Sequence, residues 1–169
     1  MNAGSLPLPP GTTVRPGVVL SLSAYVGLWI IAAAYKFGHL DVTSGTRTSE
    51  AQAAAMLAKP AESLRALYAR DDIIETLLSA QRTVAAWSAI IDAYAAEGDY
   101  LSDHQKGDAL DFAIPSDPAA LIAACRRVGL EAIDEGNHIH AEGLPGPMAL
   151  GVPVAASAAA LLLVWNSRK

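Results

Sequence analysis

SDHQKGDALDF, residues 102–112, is the stretch on which the reading of this chain turns. It lies in an alanine-rich, rather apolar sequence and sets His104 seven residues ahead of Asp111, with Gly107 and Ala109 between them. Gly107 offers a turn, and Ala109–Ile114 has the content of a short strand that ends at Pro115. If the chain turns at Gly107 and then extends, the two side chains converge on one point. Ala109 would share a strand face with Asp111, and its small side chain leaves room beside a metal.

A partner for this pair lies downstream. The chain has four histidines, His39, His104, His138 and His140. In LEAIDEGNHIHAEG the alternation around His138, Ile139 and His140 is that of a strand, which puts both imidazoles on one face. Zinc takes nitrogen and oxygen ligands of this kind, and a catalytic site keeps three protein ligands and one open position. Two histidines and one carboxylate make an accepted set. On spacing alone, a metal site and a set of hydrogen-bonded loop residues remain equally open.

The full pattern is more specific. Ser102-x-His104-x-x-Gly107-x-Ala109-x-Asp111 resembles the S-x-H-x-x-G-x-A-x-D signature of a zinc peptidase family. That family holds the D-Ala-D-Ala carboxypeptidases and dipeptidases and the phage L-alanyl-D-glutamate endopeptidase endolysins, and shares its fold with the Hedgehog signalling domain. Upstream, VTSGTR (42–47) is similar to the family's V-T-S-G-x-R strand and turn, and downstream EGNHIHAE resembles its closing H-x-E or H-x-D segment. The three blocks stand in the family's order and cover roughly residues 18–143.

The resemblance implies an α+β, Hedgehog/DD-peptidase-like fold, in which a small antiparallel sheet flanked by helices carries a Zn2+ site. It implies His104, Asp111 and His140 as metal ligands, Arg47 as the group that binds or polarises the substrate carbonyl, and Ser102 as a substrate-side residue steadying the metal loop. The reaction implied is hydrolysis of amide bonds in peptidoglycan stem peptides, by an endolysin-like enzyme of phage or prophage type. One departure matters. Many members carry the general base three residues before the last histidine, and here that position is Asn137, which accepts no proton near neutral pH. Glu135 is the nearest alternative base and His138 the next. The register also has a second solution, with His138 as ligand and Glu135 three residues before it; the trailing Glu142 favours His140.

Composition narrows the classes. A formal charge of -5 and a pI near 5.2 argue against a nucleic-acid partner, whose footprint is a basic face. The single cysteine, Cys125, forms no intramolecular disulfide and no cysteine-based zinc site, and reads as a small buried hydrophobe in a helix. At 169 residues the chain suits one domain.

Working outward along the chain, residues 1–16 read as an extended leader with four prolines. Gly17–Tyr35 carries no charge; its length would just span a bilayer, but its junction with HLDVTSGTRT reads as a buried helix handing over to a strand. Residues 17–143 form the expected peptidase-like domain. From Ser49 to Gly98 the spacing is helical, with Thr48 or Ser49 as cap and an interruption at Pro60, and is assigned to packing alone. Ser116 or Asp117 caps a further helix closed by Gly129. The charge-free segment 147–165, followed by Asn-Ser-Arg-Lys, is expected to be a helical membrane anchor with a cytoplasmic C-terminus. That places the protein at the cell envelope or periplasm, or on a virion. Two other functions compete with the peptidase: a catalytically weakened zinc-binding wall or virion protein, motivated by Asn137, and a membrane-associated helical protein without zinc.

Overall fold

The charge-free stretch after the prolines folds as helix α1, Leu22–Ala34, in the computed structural model, which describes residues 6–68 and 70–144. Ser21 starts the helix by accepting the Ala24 amide on its hydroxyl. At the other end Lys36 and Phe37 turn into the left-handed region, and the Phe37 amide closes back on the Ala32 carbonyl. A helix apolar on every side must be covered on every side, and Ala24, Leu28, Ile31 and Ala32 are fully buried.

What covers α1 is a five-stranded sheet. Its strands are β1 (Thr12–Val14), β2 (Leu40–Ser44), β3 (Ala109–Ala113), β4 (Glu131–Asp134) and β5 (His138–Glu142), in the order β1-β2-β3-β5-β4. The sheet is mixed: β1 runs parallel to β2, and every other pair is antiparallel. The proline-rich leader thus contributes an edge strand, tied down by an Arg15–Asp41 ion pair at 2.9 Å. Alternation sorts the two faces. Leu40, Val42, Leu110, Phe112, Ala132, Ile139 and Ala141 enter one core with α1 and with α7 (Pro118–Arg127), which Asp117 caps. The polar partners along β3 and β5 point the other way.

A second core lies in the region read as packing. Four helices build it: α2 (Ser49–Leu57), capped by Thr48, then α3 (Ala61–Leu67), α4 (Asp71–Ser79) and α5 (Val84–Ala96). They bury Met56, Leu64, Ile73, Ile74, Leu77, Trp87 and Ile91 among themselves. Short α6 (Asp103–Lys106) then leads from this layer back to the sheet. The described residues therefore form an α+β structure with seven helices.

The membrane-anchored location expected from the apolar segments is corrected here. Among the described residues no helix is long and apolar enough to cross a membrane. The 17–35 segment yields a helix of 13 residues, about 20 Å long against a hydrocarbon core of about 30 Å, and its apolar surface is spent on the core. The expected anchor at 147–165 lies outside the described residues. Cys125 is buried and unpaired, its thiol pushed up to about 11 by burial, as suits a packing residue.

Candidate metal centre

The loop that presents His104 is held from several directions. Ser102 caps α6, its hydroxyl accepting the Gln105 amide at 3.3 Å and donating to Gln52 Oε1 at 3.2 Å. Gly107 ends α6 with φ +81°, and the Ser21 hydroxyl donates to its carbonyl at 2.7 Å. On the other side the Arg47 amide donates to the His104 carbonyl at 3.0 Å, which joins the β2 turn to the metal loop. A Cβ on Gly107 would stand 2.7 Å from the Ser21 side chain, in a conformation L-residues avoid. Gly107→Ala is therefore expected to lower stability by about 2 kcal/mol or more, read as a drop in the melting temperature, and to weaken metal binding at the same time.

After Gly107 the chain extends, and cross-strand pairing does the rest. Asp111 of β3 stands directly opposite His140 of β5. His104 Nε2 lies 3.0 Å and His140 Nδ1 2.8 Å from the same oxygen, Asp111 Oδ1. Each ring is fixed from behind: His104 Nδ1–H donates to the Gly45 carbonyl at 2.7 Å, and His140 Nε2–H donates to Glu142 at 3.0 Å. A metal-ligating histidine needs such a partner on its other nitrogen, because that sets the tautomer and aims the lone pair. His104, Asp111 and His140 thus offer two nitrogens and an oxygen within 4.8 Å of one another. This donor set fits a divalent cation of the zinc type.

His138 and His140 stand differently in the site. Both side chains face the site, as the i, i+2 spacing requires, but the register sets His138 opposite Ala113. Its Nε2 lies 3.4 Å from Asp111 Oδ1 and 3.3 Å from Glu135 Oε2, while its Nδ1–H donates to Asn137 at 2.7 Å. Glu135, His138 and His140 form a second close group. Asn137 is engaged with His138. Arg47 reaches to 3.6 Å from the outer oxygen of Asp111. The triad, Arg47, Glu135 and His138 line a cleft of about 490 Å³, whose other wall is made by α2, the end of α3, and Lys59 and Tyr68 just beyond them. His39 is exposed at the foot of β2 and takes no part in the cluster.

The protonation of this cluster has a definite sign. Burial by itself would raise the Asp111 carboxyl, but the hydrogen bonds from His104 and His140 outweigh it and hold the group well below the ordinary carboxylate range. His140 moves the opposite way, raised to about 9 by its hydrogen bond to Asp111 and further by Glu142, against the effect of burial. At neutral pH a cation must displace that proton. Metal affinity is expected to rise about tenfold per pH unit up to about pH 9 and then to level off, as a competing chromophoric chelator would report. In the chelated protein, the stability contributed by His140 is complete below its unfolded value of 6.5 and is lost as pH rises through about 9. Melting temperatures of the metal-free chain are expected to fall across that window.

Of the residues singled out in the sequence, His104, Asp111, His140, Arg47, Glu135, His138 and Ser102 line this cleft. Two participants carry no recognisable signal in the sequence, and a third, Glu142, marks the register there but here orients His140. Gln52, in the run SEAQAAAML, is fully buried, and Tyr68 lies in a segment read as packing. A buried glutamine four residues before the core residue Met56, on the same helix stripe, is the one clue that α2 does more than pack. Comparisons of the chain with protein-family models, with curated proteins and with solved structures gave no match.

Proposed function

We propose that this chain is a zinc-dependent peptidase of the Hedgehog/DD-peptidase-like fold that hydrolyses amide bonds in the stem peptides of bacterial peptidoglycan, as endolysins of this kind do. One observation carries the reading: His104, Asp111 and His140 converge on one point, with Arg47 and Glu135 at the margin of the same cleft. These are the residues that the three sequence blocks nominate on their own.

Zinc, when bound to His104, Asp111 and His140, supplies a Lewis acid that polarises the scissile carbonyl and acidifies the attacking water. Glu135 takes the proton of that water and returns it to the leaving nitrogen. The water oxygen bonds to the carbonyl carbon, the C–N bond breaks, and a carboxylate and an amine result. His138, 3.3 Å from Glu135, keeps that carboxylate over the site and is itself held by Asn137. Arg47 binds the carbonyl or a carboxylate of the substrate. Ser102 acts through the loop, since its hydroxyl is engaged on both sides.

The test is incubation of the zinc-loaded chain with purified peptidoglycan and assay of newly freed amino groups. Release that disappears on chelation and returns with zinc is the expected result; none with zinc present would end the proposal. Asn137 favours one second reading, a zinc-binding wall protein of the same fold with little or no catalysis. That reading predicts stoichiometric zinc and retention on peptidoglycan without cleavage.

A further inference from the structure

We infer that Tyr68 is a further catalytic residue, whose hydroxyl donates a hydrogen bond to the oxyanion that forms at the scissile carbonyl, with Gln52 as its positioning residue. This rests on the peptidase reading above. The argument begins with a chain of three polar groups joining the metal loop to the helical wall. The Ser102 hydroxyl accepts the Gln105 amide, so its own hydrogen goes to Gln52 Oε1 at 3.2 Å. That leaves the Gln52 amide nitrogen as the donor at the far end, and it donates to the Tyr68 oxygen at 2.9 Å.

The direction of this chain decides what Tyr68 can do. Its oxygen is already an acceptor, so its O–H must point elsewhere. Among the described residues no acceptor takes that hydrogen, and the side chain lines the cleft shared with Arg47, His104, Asp111 and His140. Gln52 has no exposed surface, so its amide cannot turn to water, and the orientation it imposes on the phenol is built in. Burial raises the phenol above its ordinary value, with the Gln52 bond and the Arg47 charge acting against it. The group therefore stays protonated, and a donor, at neutral pH. Arg47 and Tyr68 then present two donors to the cleft that also holds the metal-ligand set, an arrangement that stabilises negative charge developing on a carbonyl oxygen.

The experiment compares the zinc-loaded wild type with Tyr68→Phe and Gln52→Met. Hydrolysis of peptidoglycan peptides is measured alongside calorimetric binding of phosphinic isosteres of D-alanyl-D-alanine and of L-alanyl-D-glutamate. Tyr68→Phe keeps the ring and loses the hydroxyl, both as the donor to the oxyanion and as the acceptor of the Gln52 amide. It is expected to lower kcat by about 100-fold with KM nearly unchanged, and to weaken the bound isostere by a similar factor. Zinc content should match wild type and the melting temperature should fall modestly, because the buried Gln52 amide loses its acceptor. A merely structural role for the hydroxyl would lower the melting temperature but leave kcat and isostere affinity unchanged. Gln52→Met is expected to act in the same direction by a smaller factor. Wild-type kcat and isostere affinity in Tyr68→Phe would overturn the assignment and leave the peptidase intact. A wild-type chain that holds zinc yet neither cuts the peptides nor binds either isostere would overturn both.

Discussion

Asp111→Asn is expected to lower zinc affinity about a thousandfold and to abolish hydrolysis with it. The substitution keeps the size of the side chain and leaves the β3–β5 register untouched, so the effect isolates the charge. Asp111 is only 4% exposed, and His104, His140, His138 and Arg47 all approach its two oxygens, at 3.0, 2.8, 3.4 and 3.6 Å. With an amide in its place, the cationic groups and any bound dication face no counter-charge in a poorly solvated site. Breaking a buried pair in this way costs about 3–5 kcal/mol, and each 1.4 kcal/mol is about tenfold in affinity. Competition against a chromophoric chelator at constant pH measures it. Stoichiometric zinc held at wild-type affinity would remove Asp111 from the metal set.

Glu135→Gln is expected to leave zinc content unchanged and to lower kcat by about 100- to 10,000-fold, the range for loss of a positioned general base. Glu135 lies half in solvent on the cleft margin and contacts His138, not the inner triad, so the metal site should survive its loss. Asn137→Asp is the companion measurement. If Glu135 serves as the base, the new carboxylate at 137 changes kcat little, because its position is engaged with His138. A large gain of activity in Asn137→Asp would instead identify the natural chain as a weakened, chiefly binding form of the fold.

Much of this site was legible in the chain itself. The caps at Thr48 and Asp117, the turn at Gly107 and the alternation in His138-Ile139-His140 involve neighbours within about four residues. For that reason they can be read without knowing what lies across the molecule. The helical run from Ala61 to Gly98 shows the limit. Its apolar spacing is helical throughout, but the chain breaks it into α3, α4 and α5, because separate helices can turn their apolar faces onto one shared core. The Gly17–Tyr35 segment shows another. Hydropathy alone cannot separate a bilayer from a protein interior, since both are apolar surroundings; the sheet and α7 supply the interior here.

By itself the sequence determined which residues could ligate a cation and that His138 and His140 would share one strand face. Tertiary structure alone decided that Asp111 pairs with His140 and that His104 and His138 approach the same carboxylate. It also carried Ser102 to Gln52, 50 positions away, and through it to Tyr68. The physical reason is the range of the forces involved. Dihedral preferences and caps act between near neighbours, whereas register and hydrogen-bond direction are settled only when distant segments exclude water from each other and leave each donor a single available acceptor.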